Sequence, residues 1–404
     1  MGTIFNIVGC ECSKEANNAK LKLNNSFNPV LVSDLSSSEM ICSTIIPREI
    51  YKDQPRRSFS LTKNKNYLNK NYKMKDKIFE KYNKVCVLGK NNYSMVYKVI
   101  NKLTNKIQVM KKILKAKVEN SDDTKSIINS ISILQNLKHD NLMKLYEFYE
   151  DEKYFYLITD LCEETFLDKI LEEHEVLCEF IVKYIMYRIF LALNYLHKQN
   201  IIHGDIKITN IGFIPKERTK EKNEKLIPIR DLINEICNDI NLQNELINGN
   251  NYNNLSIKAK KYINNLSKYD IKLLDCWSQE IFIKNIIDFE NSDILLNINY
   301  YSPELFDGCI IKERDEWACG ILMYKLFKGN YPFDGENKDE LIQDIIKGNI
   351  SEEINELKIS NDCKNLMKTL LEKNPKNRIK VEECLKLGYF KKGVKFKKSQ
   401  EYNK

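Results

Sequence analysis

Apolar and polar positions fall into a regular order only from about residue 80. Upstream, residues 13–79 mix Ser, Asn, Lys and isolated apolar residues with neither a helical nor an alternating period, which predicts a largely disordered extension. Alternation punctuated by turn residues then predicts strands over 84–88, 96–101 and 106–114, an antiparallel meander. A helical period near 124–137 and strands over 142–149 and 154–160 complete a small sheet domain. Helical spacing dominates beyond 176. The segment 179–198 carries apolar residues at 180, 181, 184, 185, 186, 189, 190, 191 and 193. Hydrophobicity nearly all round predicts a buried helix, the spine of a second lobe. Between 215 and 269 the chain turns Lys- and Asn-rich, with one periodic patch at 227–247 that predicts a surface helix inside an insertion in a hairpin.

Composition narrows the classes. A 43% hydrophobic share beside 30% charged residues suits a chain of 404 residues that buries a core. The net charge of +8 sits largely in Lys-rich stretches at 62–84 and 391–398, which read as solvated faces. No zinc-finger spacing, RRM signature or KH loop accompanies them, so nucleic acid is not an expected partner. The 12 cysteines form no CxxC pair and follow no secretory signal, which predicts reduced thiols in the cytoplasm. No apolar run reaches the roughly 18 residues that span a bilayer, and the apolar start at 4–8 is too short for a signal peptide.

The strongest chemical signal is His203-Gly204-Asp205-Ile206-Lys207-Ile208-Thr209-Asn210. Phosphoryl transfer to a hydroxyl needs a carboxylate to orient the hydroxyl and take its proton, a cation near the transferred phosphate, and an amide oxygen for Mg²⁺. Asp205, Lys207 and Asn210 supply those groups in one short segment.

This segment resembles the HRDxKxxN catalytic loop of eukaryotic protein kinases, and the motifs on both sides follow that family's order over roughly 80–390. The resemblance implies an α+β bilobal fold, with a small antiparallel β-sheet N-lobe carrying one main helix and a larger, mostly helical C-lobe. It implies ATP and Mg²⁺ as cofactors and protein substrates as partners. Val109-Met110-Lys111 resembles the VAIK strand, which makes Lys111 the phosphate anchor, and Leu88, Gly89, Val96, Val109 and the gatekeeper Thr159 would line the nucleotide site. Asp275, ending the apolar run 271–275, stands where the family keeps its metal-binding DFG aspartate, and Asn210 would be the second metal ligand. Ser302-Pro303-Glu304 resembles the APE motif, with Arg378 as the buried partner of Glu304; Asp315 opens a run similar to the family's central lobe helix. These three are structural. The segment 139–151 is similar to calcium-dependent and calmodulin-dependent Ser/Thr protein kinases, yet no DxDxDG loop occurs, so direct calcium binding is not expected. The implied organisation is an extension over 1–79, a kinase domain over 80–390 and a basic tail over 391–404. The lobes meet near 160, and the insertion over about 215–269 is either a docking element or, as expected here, tolerated loop length.

Several positions depart from the family pattern. Of the GxGxxG loop only Gly89 remains, in Gly89-Lys90-Asn91-Asn92-Tyr93-Ser94, and Val109 replaces a small alanine against the adenine. Ser130 stands where a helix glutamate would pair with Lys111; Asp123 is either a substitute reached by a helix shift or a solvated first-turn charge. DFG has become Asp275-Cys276-Trp277, Gly204 replaces the arginine that reads a loop phosphate, and the segment 160–165 is one residue short, which leaves the ribose ligand unassigned. Two classes follow: a Ser/Thr kinase of reduced activity, favoured because Lys111, Asp205, Asn210 and Asp275 persist, or a pseudokinase scaffold with weak nucleotide binding. Met1-Gly2 followed by Cys10 and Cys12 resembles a dual-acylation start, although Asn6 replaces the preferred Ser or Thr. Two acyl chains with Lys-rich segments would place the chain on the cytoplasmic face of a membrane; the alternative is an unmodified tail.

Overall fold

The computed structural model describes residues 75–90, 94–115, 131, 134–162, 167–216, 226–249, 252–276 and 294–391. The α+β arrangement expected from the sequence is borne out. A short helix α1 (Lys75–Lys81) leads into β1 (Tyr82–Lys90), β2 (Ser94–Asn101), β3 (Ile107–Leu114), β4 (Leu145–Glu150) and β5 (Tyr154–Asp160). They form one antiparallel sheet in the order β1-β2-β3-β5-β4. Alternation sorts side chains onto two faces. Val99, Met110, Tyr149, Tyr156 and Ile158 pack under Ile78 of α1, while Ile113, Phe148, Phe155 and Leu157 join the main core. The helix expected at 124–137 lies mostly outside the described residues; Ile131 and residues 134–136 are helical.

One strand is shorter than its pattern. β4 starts at Leu145, not at 142, because Leu142 forms a parallel bridge with Leu273 instead. The Met143 N–H donates to the Leu273 carbonyl and the Leu273 N–H to the Asn141 carbonyl, both at 2.9 Å.

Helices follow: α2 (Leu167–His174), α3 (Glu179–Lys198), α4 (Ile229–Asn238), α5 (Ile240–Asn248), α6 (Ile257–Leu266), α7 (Glu313–Lys328), α8 (Lys338–Lys347), α9 (Ser351–Glu356) and α10 (Asn361–Leu370), with one-turn helices left unlabelled. The hairpin β6 (Ile211–Pro215) and β7 (Tyr269–Leu273) lies between α3 and α7 in the chain. α3 is buried along most of its length, as its all-round hydrophobicity predicts, and packs on α4, α5, α7 and β7.

The insertion differs from expectation. In place of one surface helix in tolerated loop, its described residues fold as α4, α5 and α6, and Leu232, Ile233, Ile236, Leu246, Ala259 and Tyr262 are buried in the main core. Asp239 and Ser256 cap α5 and α6 through side-chain oxygens. Among the described residues of the stretch, most of the Lys and Asn that made it look like loop lie on the outer faces of amphipathic helices. Leu232→Ala should therefore lower the unfolding free energy by about 2–5 kcal/mol, whereas Ile240→Ala, at a side chain 71% exposed, should change it by less than about 0.5 kcal/mol. Urea unfolding of both variants checks this; a neutral Leu232→Ala would return the insert to tolerated loop.

Candidate active site

The segment 203–210 runs as irregular chain from α3 to a single 3-10 turn, Ile208–Asn210, just before β6. Within it the Asp205 carboxylate lies 3.0 Å from the Lys207 Nζ, and the Asn210 Nδ2 donates to that carboxylate at 2.7 Å and to the Asp205 carbonyl at 2.9 Å. Burial opposes charge on Asp205, but the Lys207 ammonium and the Asn210 donor outweigh it and hold the carboxyl below the usual range. The group therefore stands ionised at neutral pH, as a proton acceptor must. Burial holds the fully buried His203 below its ordinary pKa, so its ring is neutral. Its Nε2–H donates to the Leu274 carbonyl at 2.9 Å while its Nδ1 accepts from the Asp205 N–H at 3.2 Å, which fixes the tautomer.

These bonds carry position across to Asp275. The Leu274 N–H donates to the Asn210 carbonyl at 2.8 Å, so the strand end bearing Asp275 is stitched to the turn bearing Asn210. Asp275 sits in the left-handed region with φ 57°, which Asp tolerates better than most residues. Its Oδ2 lies 2.9 Å from the Lys111 Nζ on β3. Asn210 donates through Nδ2, leaving its Oδ1 as the acceptor; with the Asp275 carboxylate this is a set of hard oxygen donors that fits Mg²⁺.

The sheet brings the other nucleotide-site candidates onto one face. Val96 pairs with Lys111, Lys111 with Leu157, and Val109 with Thr159, so these side chains share a surface; Gly89 pairs with Val96, and Leu88 occupies an irregularity of β1. One residue here escaped sequence reasoning. A Cβ on Gly212 of β6 would lie 2.2 Å from the sulfur of Cys162, just past β5, so only glycine admits this close approach. An isolated glycine between Ile211 and Phe213 was the available signal.

Behind the loop stands Asp315, fully buried in the first turn of α7. It accepts from the His203 N–H at 2.9 Å, the Gly204 N–H at 2.7 Å and the His197 Nε2 at 2.8 Å. Arg314 donates to the Gly204 carbonyl at 3.2 Å, and Gly204 itself has φ 71°. Glu304 and Arg378 meet through two bonds, 2.7 and 3.0 Å, both side chains essentially without exposure. Arg378 also donates to the carbonyls of Glu372, Lys373 and Glu313. Gly2, Cys10, Cys12, residues 91–93, Asp123, Ser130 and Trp277 lie outside the described residues.

Comparison with known proteins agrees with this geometry. Residues 82–232 and 261–390 match the family model described as protein kinase domain. Calcium-dependent protein kinase 5 of Plasmodium falciparum is 30% identical over 307 residues, 76% of this chain and 44% of that protein. Calcium-dependent protein kinase 3 of Plasmodium yoelii yoelii is 32% identical over 308 residues, 76% of this chain and 47% of that protein. The chain thus spans less than half the length of these relatives. The crystal structure of Rad53 1-466 in complex with AMP-PNP matches with a TM-score of 0.55 at 20% identity, covering 77% of this chain and 66% of that one, a likeness of fold.

The Asp315 network sets a pH dependence. Burial disfavours a charged His197, but hydrogen bonds and charge from Asp315 and Glu316 prevail and raise its pKa from 6.5 to about 10. A raised folded-state pKa contributes stability that is full below the unfolded value and is lost as pH rises through the folded one. Unfolding free energy should therefore decline between pH 6.5 and about 10. His197→Gln should lower stability at the acid end of that window and flatten the decline. Urea titrations across pH read both, and an unaltered slope in the variant would assign the dependence to another group.

Proposed function

This chain belongs to the protein kinase family, and on that premise we propose that it is an ATP-dependent Ser/Thr protein kinase acting on protein hydroxyls. One arrangement supports the reading above all. Lys207 and Asn210 both lie within 3.0 Å of the Asp205 carboxylate, and the strand end tied to Asn210 carries Asp275 against Lys111. Asp205 would orient the substrate hydroxyl and take its proton, and Lys207 would face the transferred phosphate. Asn210 and Asp275 would hold Mg²⁺, which supplies charge neutralisation across the phosphates. Lys111 would anchor those phosphates, its ammonium kept in the cleft by Asp275, since Ser130 has no charge to offer. Such a reaction rests on position and electrostatics, so these groups matter more than the missing loop glycines.

The competing reading is a pseudokinase scaffold. It draws on Gly89 as the sole glycine of its loop and on the bulk of Val109. Phosphate transfer from Mg-ATP to a mixture of basic Ser/Thr peptides by the full chain separates the two. The kinase reading expects transfer that falls by about 10²-fold or more in Asp205→Ala, with equal rates in calcium and in a calcium chelator. It also expects a nucleotide-dependent rise in unfolding temperature. Transfer no higher than in Asp205→Ala, together with no thermal response to nucleotide, would leave the scaffold.

Acylation of Gly2 and of Cys10 or Cys12, reinforced by the Lys-rich segments, belongs to the same proposal and places the kinase on the cytoplasmic face of a membrane. Gly2→Ala should abolish myristate labelling and move the expressed protein into the soluble fraction. Unchanged partitioning would remove membrane attachment through Gly2.

A further inference from the structure

Cys178 directly precedes α3, the spine helix of the lobe, and Cys237 stands in the last turn of α4. The two are 59 positions apart in sequence. The Cys178 backbone N–H donates to the Cys237 sulfur at 3.4 Å, and the two thiols perturb each other's ionisation. A disulfide spans a Cα separation of roughly 4.4–6.8 Å, and this contact brings the two residues together on that scale. Both are half-buried, hence open to a small oxidant, and both pack against the main core. The Gln243 Nε2 donates to the Cys237 carbonyl at 2.7 Å and fixes the backbone of that turn.

We propose that Cys237 and Cys178 are a peroxide-responsive thiol pair that closes into a reversible disulfide, clamping the inserted helix α4 to the spine helix α3. The reaction balances with a peroxide as oxidant. The Cys237 thiolate attacks one peroxide oxygen and breaks the O–O bond, giving a sulfenic acid and releasing hydroxide, which takes up a proton as water. The Cys178 sulfur then attacks the sulfenic sulfur, the S–S bond forms, and the sulfenic oxygen leaves as a second water with the thiol proton. Two thiols are oxidised and one peroxide is reduced to two waters.

Cys237 is the nucleophile of the two for an electrostatic reason. Its sulfur accepts from the backbone N–H of Cys178, the residue that opens α3, and a donor at that point favours negative charge on it. The thiol of Cys178, with its N–H in support, holds Cys237 below the ordinary thiol pKa against the opposing effect of burial. Burial holds Cys319, Cys363 and Cys384 above theirs, which makes them poor competitors. Cys237 also falls within 233–260, the stretch that separates the two parts of the family match, so the bridge belongs to this chain's own insert.

The test uses the full chain, fully reduced, treated with stoichiometric hydrogen peroxide near neutral pH and then alkylated. Peptide mapping without reductant should recover a Cys178–Cys237 cross-link that dithiothreitol reverses. The oxidised form should unfold about 5 °C or more above the reduced one, because the bridge restricts the unfolded chain. In Cys178→Ser, dimedone should trap a sulfenic acid on Cys237; in Cys237→Ser, Cys178 should stay unmodified. Recovery of both cysteines as alkylated thiols in the parent would overturn the proposal. So would pairing of Cys237 with any other cysteine, or equal trapping on Cys178 in Cys237→Ser. None of these readouts depends on catalysis, so failure here is distinct from failure of the kinase reading.

Discussion

The buried carboxylate of Asp315 is the constraint on which the site depends. A charge without solvent is costly unless every lone pair is used, and this one is used by the N–H groups of His203 and Gly204 and by the His197 ring. It thereby nails the start of the 203–210 segment to the first turn of α7, a helix whose Trp317 and Cys319 are fully buried. The next residue, Glu316, accepts from the Val381 N–H, and Arg314 reaches the Gly204 carbonyl. The 203–210 segment is irregular chain, yet its geometry is that of the helix behind it.

From that anchor the polar order spreads outward by paired bonds. His203 hands its Nε2–H to Leu274 and takes the Asp205 N–H, so one neutral ring sets both the loop and the strand end that bears Asp275. Charges in the cleft are offset locally, Asp205 by Lys207 and Asp275 by Lys111. In a partly desolvated setting such pairs are strong and directional, so these side chains are held in fixed positions. The Glu304–Arg378 pair does comparable work deeper in the lobe, with Arg378 satisfied by three backbone carbonyls besides its carboxylate partner.

The insert shows how much one structural ambiguity can hide. Its abundance of Lys and Asn suggested loop, although the apolar residues Leu232, Ile233, Ile236 and Leu242 kept helical spacing. Spacing alone does not say whether an apolar stripe finds a surface to cover. Here α3 and the neighbouring helices supply that surface, and the insert becomes part of the core. Membership of the core also brings Cys237 to Cys178, a juxtaposition invisible in a chain where 59 positions separate them.

The strand meander and the buried spine helix were legible in the sequence because periodicity is a local property, and short motifs singled out the groups from Lys111 to Asp275 as candidates. Tertiary structure decided the rest. The sequence left Lys111 without its usual helix glutamate and read Asp123 as either a substitute reached by a helix shift or a solvated charge; the fold set Asp275 at 2.9 Å from Lys111. A strand pattern running from 142 was cut short because Leu142 found Leu273, far along the chain, a better hydrogen-bonding neighbour than β5. The close fit of Cys162 on Gly212 likewise joins residues 50 positions apart. Pairings of this kind depend on which surfaces meet in space, and burial then forces every polar group at the meeting to find a partner.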